Sequence, residues 1–406
     1  MNCKLTISIL ASNRKDTLPK TLESIKPILD NVLSELIVTD TGCDDDLIEV
    51  INKYTDKIIK YTWNNDFSEA RNIGLKVAKG QWFMFIDDDE WFEDVTEIVE
   101  FFTSGEDEAF ERLQYKVRNY HTKDGLKWGE MMVDRGFRTG EGIRFVEPVH
   151  EHVNITGGRV KRFSCYVHHF GYAFDNDEEK KKHAMRNIPL IKEHLKSDLT
   201  DSRAYAQIVQ EYNCIDEYEK AFSYAEMGLK CVDMYDETNH RHISGFLAEK
   251  VFATHQLGDM EKAIRYADEA LEYDELSYTG KAYIYMYLNG AFMEKGERDK
   301  ALYYGVKYFE IMDYIKEHKD VRFDEETALI GEVYTDETYY KVFYISLEVA
   351  AVKQDEESCL FIMSHADRTK KIKYLDNGLW ISDLAKLMIK SQCQEKYADT
   401  LQMLMK

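Results

Sequence analysis

Four acids stand in a row at Asp87, Asp88, Asp89 and Glu90, directly after the apolar run Trp82 to Ile86. Such a density of like charge repels itself unless a cation holds it. Carboxylate oxygens suit Mg2+ or Mn2+, and Mg2+ is commonly shared between one or two carboxylates and substrate phosphates. The alternative is a solvated acidic turn, since charge runs usually face water. The apolar run favours the metal site, because ligands of open α/β sheets bind at the carboxyl ends of strands. Two other stretches hold groups able to do chemistry, Val149-His150-Glu151 and Val167-His168-His169. An imidazole nitrogen can complete a coordination sphere begun by carboxylates, although a histidine is more often simply packed or hydrogen-bonded. His150 and Glu151 have the plainer reading of a surface ion pair at a strand end.

The elements that must position these groups read in order from the first residues. Leu5 to Leu10 is a β-rich run, Ala11-Ser12-Asn13-Arg14 a turn, and Asp16 or Thr17 can cap a helix through about Leu29. A second strand, Leu36 to Thr39, ends at Asp40-Thr41-Gly42, followed by a helix over Leu47 to Tyr54 and a third strand over Lys57 to Trp63. Ala70, Ile73, Gly74, Val77 and Ala78 recur at helical spacing, with Gly80 as the stop, and feed the strand Trp82 to Ile86. Strands alternating with helices imply right-handed crossovers and a parallel sheet, which puts Asp40 and the acidic run on one rim. Phe110 to Tyr120 alternates weakly, and the residues from His121 to Gly125 suggest a hairpin turn.

Asp87-Asp88-Asp89, with Asp66-Phe67-Ser68 and Ala70-Arg71-Asn72 before it, resembles the family-2 glycosyltransferases, whose A-type fold places an Asp-x-Asp motif after a buried strand to hold a metal and a nucleotide-sugar diphosphate. The resemblance implies an α/β GT-A catalytic domain over residues 1–195. It implies a nucleotide-sugar donor, above all a UDP-sugar, with Mn2+ or Mg2+ as cofactor. Asp40 would then meet the nucleoside, Leu10 to Asn13 the base, Arg71 the diphosphate, and Asp87, Asp88 and Asp89 the donor and metal. Asp40 could instead cap a helix, and Arg71 could form a surface ion pair. Val-His-Glu at Val149 to Glu151 and the stretch Val167 to Tyr172 resemble members joined to tetratricopeptide-like helices, including the sublancin-type peptide S-glycosyltransferases. His169 is thereby a metal-ligand candidate. Inverting transfer needs a base for the acceptor's proton, for which Glu151 stands ahead of His150. Pro148 has no match in that pattern. Lys180, Lys181, Lys182 and Arg186 are read as a solvated helix face, or as cations near a diphosphate.

Beyond residue 200 helical periodicity takes over. Asp216-Glu217-Tyr218-Glu219-Lys220-Ala221 is echoed by Asp259-Met260-Glu261-Lys262-Ala263 and by Arg298-Asp299-Lys300-Ala301, with Gly258 and Gly296 at turns. Small residues that let helices approach, with aromatic residues between them, resemble tetratricopeptide repeats over residues 196–406. The alanines lie about 42 and 38 residues apart, beyond the usual period of roughly 34, so the copies are degenerate. Helices near Thr338 to Lys353, Glu356 to Arg368 and Leu379 to Leu404 would continue the array, and the many tyrosines read as inter-helix core.

Length and charge bound the rest. With 406 residues, 44% of them hydrophobic, the chain can form two or three domains. A formal charge of -22 argues against nucleic acid or an anionic membrane surface as a main partner. No stretch approaches the ~18 apolar residues of a spanning helix and Met1 to Lys4 runs straight into a strand, so a cytoplasmic protein without a membrane span is expected. Seven scattered cysteines without a Cys-x-x-Cys pair suggest free thiols. The expected partners are a donor and an acceptor, either Cys or Ser of a peptide or a cell-envelope or capsule glycan, and a homodimer through the helical domain is possible on this reading. A non-catalytic repeat scaffold is the contrasting reading.

Overall fold

The strand that carries the acids is buried on both faces. Trp82, Met84 and Ile86 face a core shared with Ile7, Ile9 and Phe101, while Phe83 and Phe85 pack with Phe137 and Phe145 on the other face. A continuous apolar run of this length is what a central parallel strand requires. The computed structural model describes residues 3–120, 122–126, 128–149, 151–171, 173–174, 176–235, 242–318, 328–366 and 386. The chain divides into two compact units, residues 1–194 and 195–406.

The first unit begins β1 (Leu5–Ala11), α1 (Leu18–Asn31), β2 (Ser34–Asp40), α2 (Asp45–Ile51), β3 (Ile58–Lys60), α3 (Phe67–Val77) and β4 (Trp82–Asp87). It continues with β5 (Glu90–Phe92), α4 (Thr96–Ser104), β6 (Arg112–Tyr120), β7 (Trp128–Arg138), β8 (Phe145–Val146), β9 (His152–Val153), β10 (Val160–His169) and α5 (Asp177–Ser197). The main sheet has the order β3-β2-β1-β4-β7-β6-β10-β5. Its first four strands are parallel, as the alternation of strands and helices predicts, but β7 joins β4 antiparallel and the sheet as a whole is mixed. The β6–β7 hairpin is present, and β10 pairs parallel with β6 and antiparallel with β5. Ala11 lies opposite Asp40 and Leu10 opposite Asp87, so the carboxyl ends of β1, β2 and β4 share a rim.

Two local readings change. The strand expected over Lys57 to Trp63 is confined to Ile58–Lys60. Helix α3 ends at Val77 rather than at Gly80. Gly80 is needed for close approach instead, since a Cβ there would lie 2.3 Å from the Thr6 amide nitrogen.

The second unit is helical: α6 (Ser202–Cys214), α7 (Tyr218–Tyr235), α8 (Ile243–Gln256), α9 (Met260–Leu271), α10 (Tyr278–Glu294), α11 (Arg298–Glu317), α12 (Ala328–Gly331), α13 (Asp336–Lys353) and α14 (Glu356–Ser364). Four pairs among these turn through a left-handed residue: Asp216, Gly258, Gly296 and Gln354, with φ of 58°, 85°, 76° and 56°. Ala221, Ala263 and Ala301 are fully buried, and a Cβ on Gly305 would meet Ser346 and Asn289. The helix expected over Leu379 to Leu404, together with Cys393, lies outside the described residues; the other six cysteines are free thiols. No helix among the described residues is long and apolar enough to cross a membrane.

Glu249 on α8 is 2% exposed. The Asn213 amide donates to its Oε2 at 2.7 Å, and its Oε1 has no hydrogen-bond partner among the described residues. Burial pushes this carboxyl up to about 8, against the hydrogen bond, from an ordinary value of 4.5. The folded state therefore holds a proton that the unfolded chain releases, so this contribution to stability is complete in acid and is lost as pH rises through 8. Glu249→Gln is expected to gain up to ~4 kcal/mol over the parent above that pH and nothing in acid. Melting followed by circular dichroism across pH checks this, and a variant whose melting temperature tracks the parent at every pH would reject it.

Candidate active site

Helix α3 and strand β4 together set the floor of the site. Asp66 caps α3, its carboxylate accepting from the Glu69 amide at 2.8 Å. One turn on, Arg71 is buried at 5% exposure. Its Nη2 donates to Asp87 Oδ1 at 2.5 Å, its Nε to Glu151 Oε1, and its guanidinium lies 4.8 Å over the Phe85 ring. Asn72 clamps the same loop, donating to the Phe145 carbonyl at 2.9 Å and accepting from the Phe145 amide at 2.8 Å. The Phe67 amide donates to the Pro148 carbonyl at 2.8 Å. Pro148 thus belongs to a loop tied to the start of α3, with Glu147 turned to a left-handed φ of 70°.

A second guanidinium comes from β7. Arg135 Nη1 donates to Asp87 Oδ2 at 3.1 Å and Nη2 to Glu90 Oε1, and its guanidinium also lies over the Phe85 ring, at 5.1 Å. Both oxygens of Asp87 are therefore committed to arginines. Burial alone would raise Asp87, but Arg71 and Arg135 outweigh it and hold the carboxyl well below the usual range. Burial pushes the Glu90 carboxyl up, opposed by Arg135 and reinforced by Asp87.

Asp88 and Asp89 turn to other partners. Asp88 Oδ2 accepts from the Ser12 amide at 2.6 Å and its hydroxyl at 2.8 Å, and Oδ1 lies 3.1 Å from Arg14 Nε. Burial pushes Asp88 up to about 6, with Arg14 opposing. Asp89 Oδ2 pairs with Arg14 Nη1 at 2.6 Å and lies 3.7 Å from His169 Nε2, a charge contact longer than a hydrogen bond. Burial would raise Asp89, but His169 and Arg14 prevail and lower it. His169 in turn has its value raised: burial works against the charge and Asp89 overcomes it. Its Nδ1 faces Asn119 Oδ1 at 2.6 Å, a partner that can only accept, so Nδ1 carries a hydrogen and Nε2 is the nitrogen directed at Asp89. His168 turns elsewhere, to Tyr120 and Glu93.

The remaining expected residues fall on the rim or away from it. Asp40 is 6% exposed at the end of β2, and its Oδ1 accepts from the Gly42 and Cys43 amides at 2.9 and 2.7 Å. Leu10 sits between Thr39 and Asp87 in register, and Asn13 is exposed in the following turn, its Oδ1 3.4 Å from the Asp44 amide. Lys181 and Lys182 are exposed, and Arg186 lies 5.8 Å over the Phe67 ring. His150 and Tyr172 lie outside the described residues. Sequence reading took Ser12 only as part of the stretch facing the base, and missed Arg14, Asn119 and Arg135. Arg14 had a signal, since it stands in the turn after β1 on the ligand-binding rim. Arg135 had none.

The donor set fits a divalent cation. The Arg14 guanidinium bridges Asp88 Oδ1 and Asp89 Oδ2, and His169 Nε2 lies 3.7 Å from Asp89 Oδ2, a set of carboxylate and imidazole donors of the kind that suits such an ion.

Residues 6–169 match the family described as "Glycosyl transferase family 2". The N-terminal unit is a family-2 glycosyltransferase domain. Its mixed sheet, with the acidic run at the carboxyl end of a buried strand, is the GT-A arrangement, and helices follow it. The SPbeta prophage-derived glycosyltransferase SunS of Bacillus subtilis is 27% identical over 251 residues, covering 58% of this chain and 56% of SunS. A TPR repeat-containing protein of Synechococcus elongatus is 31% identical over 187 residues, 44% of either chain. Among solved structures, S. aureus TarS aligns at 14% identity with a TM-score of 0.36, over 64% of this chain and 54% of that one. The chain thus spans about half the length of the relatives it matches.

Arg71→Met strands two carboxylates in a buried place and is expected to cost about 3–5 kcal/mol. Arg71→Lys should recover less than half of that, since one ammonium cannot reproduce a fork that spans Asp87 and Glu151. Urea unfolding of both variants measures this, and a lysine variant as stable as the parent would show that charge alone, without the fork, is enough.

Proposed function

We propose that the protein is an inverting, divalent-metal-dependent transferase that moves a sugar from a UDP-sugar to a Cys or Ser side chain of a peptide. The observation that carries this reading is the pair Asp88 and Asp89 at the carboxyl end of β4, with His169 3.7 Å from Asp89, on the rim that also holds Asp40. Asp40, braced by two backbone amides, presents its remaining oxygen to the nucleoside. Asp89 and His169 hold the metal, with Asp88 Oδ1 beside them. Bound there, Mn2+ or Mg2+ would supply Lewis-acid stabilisation of the leaving diphosphate.

Arg71 takes a different part from the one its position in the sequence suggested. Buried between Asp87 and Glu151, it orients carboxylates rather than touching the diphosphate, and Asp87 does the same from the opposite side. Glu151 Oε1 is held by Arg71, which leaves Oε2 to accept the proton of the acceptor thiol or hydroxyl as its sulfur or oxygen attacks the anomeric carbon. His150 is the alternative base. The peptide acceptor rests on the resemblance of the Val-His-Glu stretch and of Val167 to Tyr172 to peptide S-glycosyltransferases, and the helical unit is read as its docking surface. A glycan acceptor would leave every one of these donor-side roles unchanged. The intact set of paired acids and arginines favours catalysis over a scaffold, for which nothing would maintain buried charges at this rim.

Slow hydrolysis of UDP-sugars tests the donor side without an acceptor. One donor of a panel is expected to release UDP with Mn2+ or Mg2+ and not with chelator, and Asp89→Asn to lose that turnover. Metal-independent release, or an active Asp89→Asn, would overturn the metal assignment. Glu151→Gln is expected to lower transfer to a peptide at least about a hundredfold while UDP binding by calorimetry stays within about twofold of the parent. Retained transfer would move the base to His150.

A further inference from the structure

Asp88 and Asp89 are both less than a tenth exposed, and two neighbouring buried carboxylates need positive charge. Arg14 supplies it from the outside. Its guanidinium pairs with Asp88 Oδ1 and Asp89 Oδ2 while 47% of its side chain remains exposed. Arg71 and Arg135 differ in kind, since Arg71 is buried, Arg135 is only 12% exposed and both pack against Phe85. The oxygens that Arg14 takes are also the ones best suited to a metal. Asp88 Oδ2 is already held by the Ser12 amide and hydroxyl, which leaves Oδ1, and Asp89 Oδ2 is the oxygen beside His169 Nε2.

We infer that Arg14 and the divalent cation are alternative partners of Asp88 Oδ1 and Asp89 Oδ2, so that Arg14 holds the acid pair together until the metal displaces it. This rests on the metal-site reading above. The exposed side chain can swing into solvent with little packing lost, whereas a guanidinium and a divalent ion at the same two oxygens would repel each other. Arg14 also sits one residue after Asn13 on the turn after β1, and its amide and carbonyl bond Ser12 and Leu18. Metal binding therefore frees a side chain of the very turn that borders the nucleoside rim.

Mn2+ binding to the full chain without nucleotide, read by electron paramagnetic resonance, tests this beside thermal melting. Arg14→Ala is expected to bind Mn2+ about tenfold more tightly than the parent, the factor that corresponds to ~1.4 kcal/mol. Its melting temperature without metal should fall, and saturating Mn2+ should raise it more than it raises the parent. Lys15→Ala removes the same charge from the neighbouring position, where Lys15 pairs with Asp44 rather than with the acid pair, and should leave the Mn2+ affinity within about twofold of the parent. Unchanged or weaker Mn2+ binding in Arg14→Ala overturns the inference while the metal reading stands. An equal gain in Lys15→Ala overturns it as well, since general charge would then account for the effect. If the parent binds no Mn2+ and Arg14→Ala none either, the inference and the metal reading fall together.

Discussion

A buried carboxylate is tolerable only when a cation stands against it, and the N-terminal unit depends on meeting that requirement several times within a few ångströms. Asp87 is the centre. Arg71 from α3 takes one oxygen and Arg135 from β7 the other, and both guanidiniums lie over the Phe85 ring, on the strand that delivers Asp87. Helix α3, strand β4 and the later strand β7 are therefore fixed to one another by charge as well as by packing. The arrangement is unforgiving, because loss of any one member leaves its partners ionised and desolvated. Arginine suits it where lysine would not, since a planar fork can serve two carboxylates and still stack on a ring.

Helix α3 extends that constraint to the loop that carries Glu151. Asp66 caps the helix, the Phe67 amide holds the Pro148 carbonyl, Arg71 holds Glu151, and Asn72 makes two hydrogen bonds to the backbone of Phe145. Three residues of one short helix, Phe67, Arg71 and Asn72, thus fix a loop some eighty residues onward in the chain. The position of Glu151 relative to the acidic run follows from this, and so does the left-handed turn at Glu147, which lets the chain reach Pro148. The Asp-Phe-Ser-Glu-Ala-Arg-Asn stretch is a brace as much as a binding surface.

What the sequence made legible was whatever local pattern controls. The apolar run of β4, the rim shared by Asp40 and the acids, and the turns at Gly258 and Gly296 all follow from periodicity or from a residue's own conformational freedom. Pairings across the sheet were not legible. Arg135 reaches Asp87 because β7 lies antiparallel to β4, and nothing in an alternating strand that also carries Asp134 and Arg138 marks one charge as inward. The fourth helical turn, at Gln354, was hidden for a different reason: a non-glycine residue takes the left-handed conformation there, as Asp216 does in the first. The spacing of the repeats was visible through alanines, while their turns are only half written in glycine.

The acidic run shows how far a motif can mislead when its members are taken as equivalent. Four consecutive acids suggest four ligands, yet side chains at a strand end diverge, and each meets a different environment. Asp87 and Glu90 turn to Arg135, with Arg71 completing Asp87. Asp88 gives one oxygen to Ser12, which ties the end of β4 to the turn after β1. Asp89 alone combines an accessible cationic partner with a histidine from β10. Opposite outcomes follow for neighbours of the same type: burial raises Asp88, while the positive charge around Asp89 lowers it. A carboxylate kept ionised beside an imidazole whose other nitrogen is fixed is the better metal ligand, and a carboxylate anchored through one oxygen is the better hinge between strand and turn. The run therefore divides its labour, with Asp87 and Glu90 locked to arginines, Asp88 joining the strand end to the turn after β1, and Asp89 set between Arg14 and His169.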